Sequence, residues 1–448
     1  PVEAFEDIVF GDPDLNTTEL EAHLLRAMVQ HQFSETLKGR FSAFYGDYDK
    51  LYANFYATAF DPATNVVGID GYVDTTQRQN LILSGDLIGQ FDTGQVGHTI
   101  VTGIEYIDTT NDNDRFNPVW TGSNDDVELF DVMRPLMFSG GVGTNASGNA
   151  TSMAFSDLND RTAADVQVFS AYVQDEIEVS DQLDIIVGAR FDSFDIEVEN
   201  LDPENLETRA RTDEDISPRF GLVYKPMENI SFYGSYSESF LPRSGEQFAN
   251  INGDNDALDP DEFTNLEAGV KWDIQPGLSV TAAVFEIEQS SPQVADNDPS
   301  TLDVIDTETT GFEVQLQGQL SDRWFIATGY SYLDGEQVNR SGATGLRPRE
   351  LPENMFSLWN TYQVTDRFGF GLGMTYQDES FINNSNSAVL PSYTRVDAAA
   401  FYALNEDLRI QLNIENLTDE LYFPSSHSTH QATVGAPLNA KVTISGRF

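Results

Sequence analysis

His427 and His430, three positions apart, are the residues whose type and spacing first suggest metal chemistry, because neutral imidazoles are common zinc ligands. No carboxylate lies between them and no helical pattern puts them on one face; Asp419 and Glu420 are the nearest acids in sequence. The pair therefore reads as solvent-facing, and no metal centre is assigned. Two oxygen-rich runs come next. Asn111-Asp-Asn-Asp114 and Asp254-Asn-Asp256-Ala-Leu-Asp259-Pro-Asp261-Glu262 alternate oxygen ligands of the kind a hard cation takes, Ca²⁺ before Mg²⁺ in a flexible loop. Neither sets the central Gly and the final bidentate Glu of an EF-hand in register, so both read first as solvated turns, with weak Ca²⁺ binding as the alternative. Catalytic chemistry has less support. The chain has no Gly-x-Ser-x-Gly elbow, no Gly-rich phosphate loop and no His-Glu-x-x-His, and no Ser pairs with His and Asp in a recognisable order. No enzymatic activity and no resident cofactor are expected.

The elements that carry these residues read as strands. Leu438, Ala440, Val442, Ile444 and Phe448 fall on one face of the last segment, and Asn439, Lys441, Thr443, Ser445 and Arg447 on the other. Leu408, Ile410, Leu412 and Ile414 alternate in the same way with Arg409, Gln411, Asn413 and Glu415, as do Phe312, Val314, Leu316 and Leu320 with Glu313, Gln315, Gln317 and Gln319. His23, His31 and His98 fall within such strands and read as wall residues. Aromatics gather near strand ends, at Tyr330, Tyr332, Trp359, Tyr362, Phe368, Phe370, Tyr422 and Phe423, where a membrane barrel places its interfacial girdles.

Composition narrows the partners. The 448 residues include 24 basic and 73 acidic side chains, a formal net charge of −49 that excludes nucleic acid, since phosphate binding needs Lys and Arg to release counterions. With 17 Tyr and 30 Phe the chain is no disordered acidic tail. It has no cysteine, hence no disulfide framework and no thiolate metal site. No run of about 18 apolar residues occurs, which excludes a transmembrane helix and leaves a membrane barrel open. The chain starts at Pro1 without initiator Met or signal peptide, and reads as a fragment or trimmed product.

Connection lengths distinguish a membrane wall from a soluble sandwich. Tight polar turns recur near Ser34 to Thr36, Thr93 to Gly97, Ser180 to Gln182, Pro226 to Asn229, Gln275 to Gly277, Ser321 to Arg323, Thr365 to Arg367 and Asn405 to Asp407. Between them lie long loops rich in Asn, Asp, Gly and Ser, at residues 61–77, 111–163, 199–212, 240–261, 290–308, 336–351, 381–391 and 418–437. Short turns at one end and long loops at the other are the pattern of an outer-membrane barrel. The expected fold is all-β: one transmembrane antiparallel β-barrel domain over residues 1–448, with about 17 strands of the roughly 22 that enclose a plugged lumen in the largest barrels.

Specific residues then point to a family. Asn413-Ile-Glu-Asn416-Leu417-Thr-Asp419-Glu-Leu-Tyr422, followed by a last strand ending in Phe448, resembles the near-terminal segment of TonB-dependent outer-membrane receptors. Leu258-Asp-Pro260 through Asn265, Glu267, Gly269 and Lys271 is similar to their strand-entry segment, departing from it at Asp261 and Leu266. Ser235 to Arg243, Gly188 to Asp192, Ser217 to Leu222, Pro352 to Trp359 and Tyr393 to Asp397 resemble further strands of the ferric-siderophore branch. The likeness covers about residues 165–448 well, and the tail from Ser426 through Pro437 is closest to ferric-catecholate receptors.

The resemblance implies energy-coupled uptake of a ferric siderophore, with TonB as partner through an N-terminal plug and coupling box that this chain lacks. It also implies outer-membrane lipid and lipopolysaccharide as surroundings, a monomer, and Phe448 as an assembly signal. An aromatic, anionic chelate would be held by aromatic and basic groups on the loops and upper wall. Trp120, Phe138, Phe240, Arg243, Phe248 and Arg347 are the candidates, the two arginines because cations are scarce. The alternatives are a passive porin-like channel of about 16–18 strands, a receptor for haem, cobalamin or a sugar, and a soluble acidic β-rich protein.

Overall fold

The computed structural model describes residues 8, 10–12, 14–132, 138–242, 259–294, 302–339, 342–428 and 431–447. Seventeen strands of this part form one antiparallel wall. They are β1 (Thr17–Gln32), β2 (Leu37–Asp61), β3 (Val66–Thr93), β4 (Val96–Trp120), β5 (Ala150–Ser180), β6 (Leu183–Asn200), β7 (Glu207–Met227), β8 (Ile230–Leu241) and β9 (Asp261–Gln275). They continue as β10 (Leu278–Val294), β11 (Leu302–Ser321), β12 (Trp324–Asn339), β13 (Asn354–Gln363), β14 (Phe368–Gln377), β15 (Tyr393–Ala403), β16 (Leu408–Glu415) and β17 (Asn439–Gly446). Each pairs with its neighbour in sequence, from β1 with β2 to β16 with β17.

The register turns period-2 alternation into two continuous faces. One row across the wall reads Ile185, Leu222, Gly234, Ala268, Val284, Phe312; another reads Trp324, Tyr362, Phe370, Ala400, Leu412, Val442. Many of these side chains are exposed, among them Leu222, Val284, Phe370 and Val442 at 64%. Exposed apolar side chains in unbroken rows over a sheet are stable only against lipid, so this face is the outside of a barrel wall and the polar face lines its interior. The rows bear out the outward placement of Leu408, Ile410, Leu412 and Ile414. Tyr362, Phe368 and Phe370 lie on the outer face near turns, as expected of a girdle, but Trp359 pairs with Gly373 on the inner face, and Tyr422 and Phe423 are buried in a loop.

All eight tight turns lie where expected, Gly94 and Gly277 taking the positive φ (74° and 80°) that hairpin corners demand. Some of the long connections are shorter than expected, whereas those after β14 and β16 run slightly beyond their expected bounds, over residues 378–392 and 416–438. Residues 66–77 belong to β3, 111–120 to β4 and 150–163 to β5, so the expected loops 61–77 and 111–163 are largely strand. At 25, 28, 25 and 31 residues, β2 to β5 are roughly 80–100 Å long at a rise of about 3.3 Å per residue, against an apolar band about 25 Å tall. Above that band neither face meets lipid, the hydrophobic alternation disappears from the sequence, and the backbone ladder continues without it.

Among the described residues, β1 pairs only with β2 and β17 only with β16. Both edge strands run toward the turn end, so they cannot complete an antiparallel closure with each other.

Candidate functional site

The polar face gathers the chain's scarce cations, most of them clamped by acids. Arg40, Asp86, Gly103, Tyr172 and Arg190 form one register row across β2 to β6. Gly103 has no side chain to block the Tyr172 ring, which crosses it to donate its hydroxyl to Asp86; Arg40 pairs with the same carboxylate at 2.6 Å. Arg190 donates to Glu105 at 3.0 Å and to Asp192 at 2.8 Å, and Asp192 also accepts from Ser170.

Beside this network the wall holds a cavity of about 840 Å³, lined by Glu105, Tyr172, Arg190, Arg219, Phe240 and Glu267 among others. The β7–β8 ladder stops at the Arg219–Ser237 pair. Above it Phe240 meets the Phe194 ring edge-on, with centroids 5.5 Å apart. Arg219 is exposed, and among the described residues no ion pair engages it. The cavity thus combines aromatic faces with a guanidinium outside any ion pair, while of its four carboxylates Glu105 and Asp192 pair with Arg190, and Glu238 and Glu267 accept from the Tyr236 and Tyr233 hydroxyls; a bulky, partly aromatic anion would have to be held at Arg219.

A second inner-face patch lies higher on β2 to β4. The Arg115 guanidinium sits 4.2 Å from the Tyr72 ring centroid and forms a bidentate pair with Asp74 at 2.8 and 2.9 Å. Tyr52 and Tyr56 flank the same ring at 5.8 and 6.0 Å.

Of the expected contact residues that fall among the described ones, Phe240 alone lines this cavity. Trp120 has no exposed surface: it packs against Phe55 and Phe130 in an apolar cluster with Val67, Ile69 and Val132, so it holds the loop after β4 to the wall and presents nothing to a ligand. Arg347 is also occupied. Its guanidinium donates to Glu353 Oε2 at 3.2 Å and the Leu333 carbonyl at 3.1 Å, and its backbone is fastened by Asn386 and Gln337. Phe138 starts a short strand, Phe138–Ser139, and Arg243, Phe248 and Phe448 lie outside the described residues.

The Asn111–Asp114 run is strand, not turn. Asn111 and Asn113 face inward onto Arg78 and Thr76 while Asp112 and Asp114 point away, so the four oxygens do not converge on a cation. Residues 254–258 of the second run, and His430, lie outside the described residues.

Around Arg347 the loops are tied by carboxylates. Hydrogen bonds from Asn354 Nδ2 and the Tyr376 hydroxyl, both 2.7 Å, hold the Asp378 carboxyl below its ordinary range. Burial pushes Glu350 up, but the Ser426 amide at 2.6 Å and Arg349 outweigh it and leave the group lowered.

The near-terminal segment has a structural task. Asn416, fully buried at φ 52°, donates to the carbonyls of Glu420 (2.8 Å) and Ala436 (3.1 Å) and accepts from the Glu420 amide, while its own amide donates to Asp397. Asp419 accepts from the Leu438 amide at 2.8 Å, and the Tyr422 ring lies over Gly435 with its hydroxyl bonded to Arg395. Two motifs far apart in sequence, Tyr393 to Asp397 and Asn413 to Tyr422, are thus one lock between β15, β16 and β17.

A family model described as TonB dependent receptor-like, beta-barrel, matches residues 6–417. The chain belongs to that family. Among curated relatives it is 28% identical to a probable TonB-dependent siderophore receptor, PiuA, of Acinetobacter baumannii, over 100% of this chain and 63% of the relative. It is 29% identical to the ferrichrome outer membrane transporter/phage receptor of Escherichia coli K12, over 84% of this chain and 49% of the relative. The crystal structure of the Acinetobacter baumannii siderophore receptor PiuA superposes with a TM-score of 0.84 at 27% identity, covering 97% of this chain and 65% of that one. The receptor wall described here therefore spans less than two thirds of the length of these relatives.

Proposed function

We propose that this chain forms most of the wall of an outer-membrane receptor that takes up a ferric siderophore, with transport driven through TonB. The observation that carries the reading is the cavity on the polar face, where Phe240 and Phe194 stand beside the uncompensated Arg219 inside a wall whose other face is continuously apolar. Relatives named as siderophore receptors support it. Within the reading, Arg219 and Phe240 contact the chelate, with Arg243 and Phe248 as further candidates on the loop after β8. Trp120 and Arg347 hold loops in place and act indirectly. A catecholate is the preferred siderophore, because the Phe194, Phe240 and Tyr172 rings offer aromatic surface for its own rings. The receptor works as a monomer among outer-membrane lipid and lipopolysaccharide.

The test uses the full-length receptor in cells lacking other iron receptors. A charge-assisted contact is worth roughly 1.5–3 kcal/mol, so Arg219→Gln should weaken ferric-siderophore binding by about ten- to a hundredfold. Uptake of radioactive iron should stop when TonB is deleted, while binding persists. Unchanged binding in Arg219→Gln and Phe240→Ala together removes the cavity from the mechanism, and TonB-independent uptake favours a passive channel.

A further inference from the structure

The outer face carries a pit as well as a belt. Gly234 and Ala268 are neighbours in one register row, with Leu222 on one side and Val284 on the other. The row above reads Val187, Phe220, Tyr236, Leu266, Glu286. Small residues surrounded by large ones leave a hollow of about 660 Å³, inside the range of about 300–1,000 Å³ typical of small-molecule sites. Its walls are almost wholly apolar, with Phe220 and Leu222 each 49% exposed and Leu266 53%. A Cβ on Gly234 would have the Glu267 carbonyl oxygen, 3.8 Å away, as its nearest neighbour, so the backbone there is not pressed by any packing that would demand glycine.

We propose that this pit is a binding site for one acyl chain of a membrane lipid, held more tightly than the lipid around the rest of the wall. The occupant follows from continuity: the hollow opens onto the belt that faces lipid, and no aqueous ligand reaches that face. Its size and shape favour a flexible run of methylenes, because the hollow crosses β6 to β11 instead of following one strand and offers aromatic sides at Phe220 and Tyr236, whose ring centroids are 6.4 Å apart. At one end lie Glu286 and Thr310, which mark the limit of the apolar surface. The inference rests on the membrane-barrel reading of this face.

The full-length receptor, purified from outer membranes in detergent, would be incubated with dioleoyl phosphatidylethanolamine and examined by native mass spectrometry. The wild type should retain one phospholipid through detergent exchange. Gly234→Leu and Ala268→Leu, which fill the pit from two strands, should each reduce that retention at least tenfold. Ala400→Leu, on the same face but outside the pit, should leave it unchanged. Equal retention in wild type and both pit variants overturns the proposal, as does equal loss in Ala400→Leu, or a mass shift to a dimer that the pit variants abolish. Extraction of the receptor without detergent would instead overturn the membrane reading itself.

Discussion

Leu412→Arg should be among the most damaging single substitutions on the outer face. Leu412 pairs in register with Ala400 and Val442, and lies two residues further from the Asn405–Asp407 turn than Ile410, which pairs with Tyr402 and Ile444. The cost of an arginine on a lipid-facing strand depends on depth: about 2–4 kcal/mol at the bilayer midplane, falling to about 0–1 near the interfaces. Small neighbours such as Ala400 give the guanidinium nothing to bond, so Leu412→Arg should approach the upper range. Ile410→Arg, beside the Tyr402 ring, should cost less. Gln411 faces inward and donates to Asn413 at 2.8 Å, so Gln411→Ser forfeits one half-buried hydrogen bond, about 0.5–1.5 kcal/mol. The measurement is reversible unfolding of the full-length receptor in lipid vesicles by denaturant titration. An order of Leu412→Arg, then Ile410→Arg, then Gln411→Ser supports a membrane wall of this register. Equal costs for Leu412→Arg and Gln411→Ser would show that the face containing Leu412 meets water.

Two further outcomes follow from the loops. Asn416→Ala strands the Glu420 and Ala436 carbonyls, a loss of about 1–3 kcal/mol, and places alanine in a left-handed conformation that costs about 1–2 kcal/mol more. Asn416→Gly should recover the second part alone, and identical stabilities of the two variants in the same titration would refute the backbone argument. Asp378 has a lowered pKa, so the stability it gives the loop after β14 is fully present above the ordinary carboxylate value of about 3.9 and is lost as the pH falls through the lowered one. Pepsin cleavage of that loop should therefore rise as the pH falls below the ordinary carboxylate value in the wild type, and Asp378→Asn should flatten the rise; an unchanged profile in the variant would assign the transition to another group.

The lipid-facing part of the fold was legible because the solvent on its two sides differs. Leu408 to Ile414 and Leu438 to Ile444 alternate with polar residues, and the structure places them as that alternation requires. The turns were legible because tight corners restrict residue type, as at Gly277. The upper parts of β3 to β5 were not, because a strand wet on both faces needs no alternation: Thr75-Thr-Gln-Arg78 and Asn111-Asp-Asn-Asp114 carry loop composition, and are held by backbone pairing and by polar side-chain bonds across the strands. Residue type misled for Trp120, whose burial depends on Phe55, Ile69 and Phe130 meeting it from other segments. Arg219 was open to inference. In Ser217-Pro-Arg-Phe-Gly-Leu222 the alternation that sends Phe220 and Leu222 outward sends Arg219 inward.

Charge gives that position its weight. With a formal net charge of −49, an anion approaches against the mean field of the molecule, so capture depends on local donors and not on the overall potential. Most inner-face arginines cannot serve, because the same excess of acid has claimed them: Arg40 by Asp86, Arg115 by Asp74, Arg190 by Glu105 and Asp192, Arg395 by Asp397. Each such pair orders the wall while cancelling its own charge. A cation left without an acid partner, and set beside aromatic rings in a cavity, is then worth more to an anionic ligand than its number suggests. On the proposed reading, repulsion elsewhere raises the contrast between that site and the rest of the surface, so a strongly acidic wall would still discriminate in favour of an anion at Arg219.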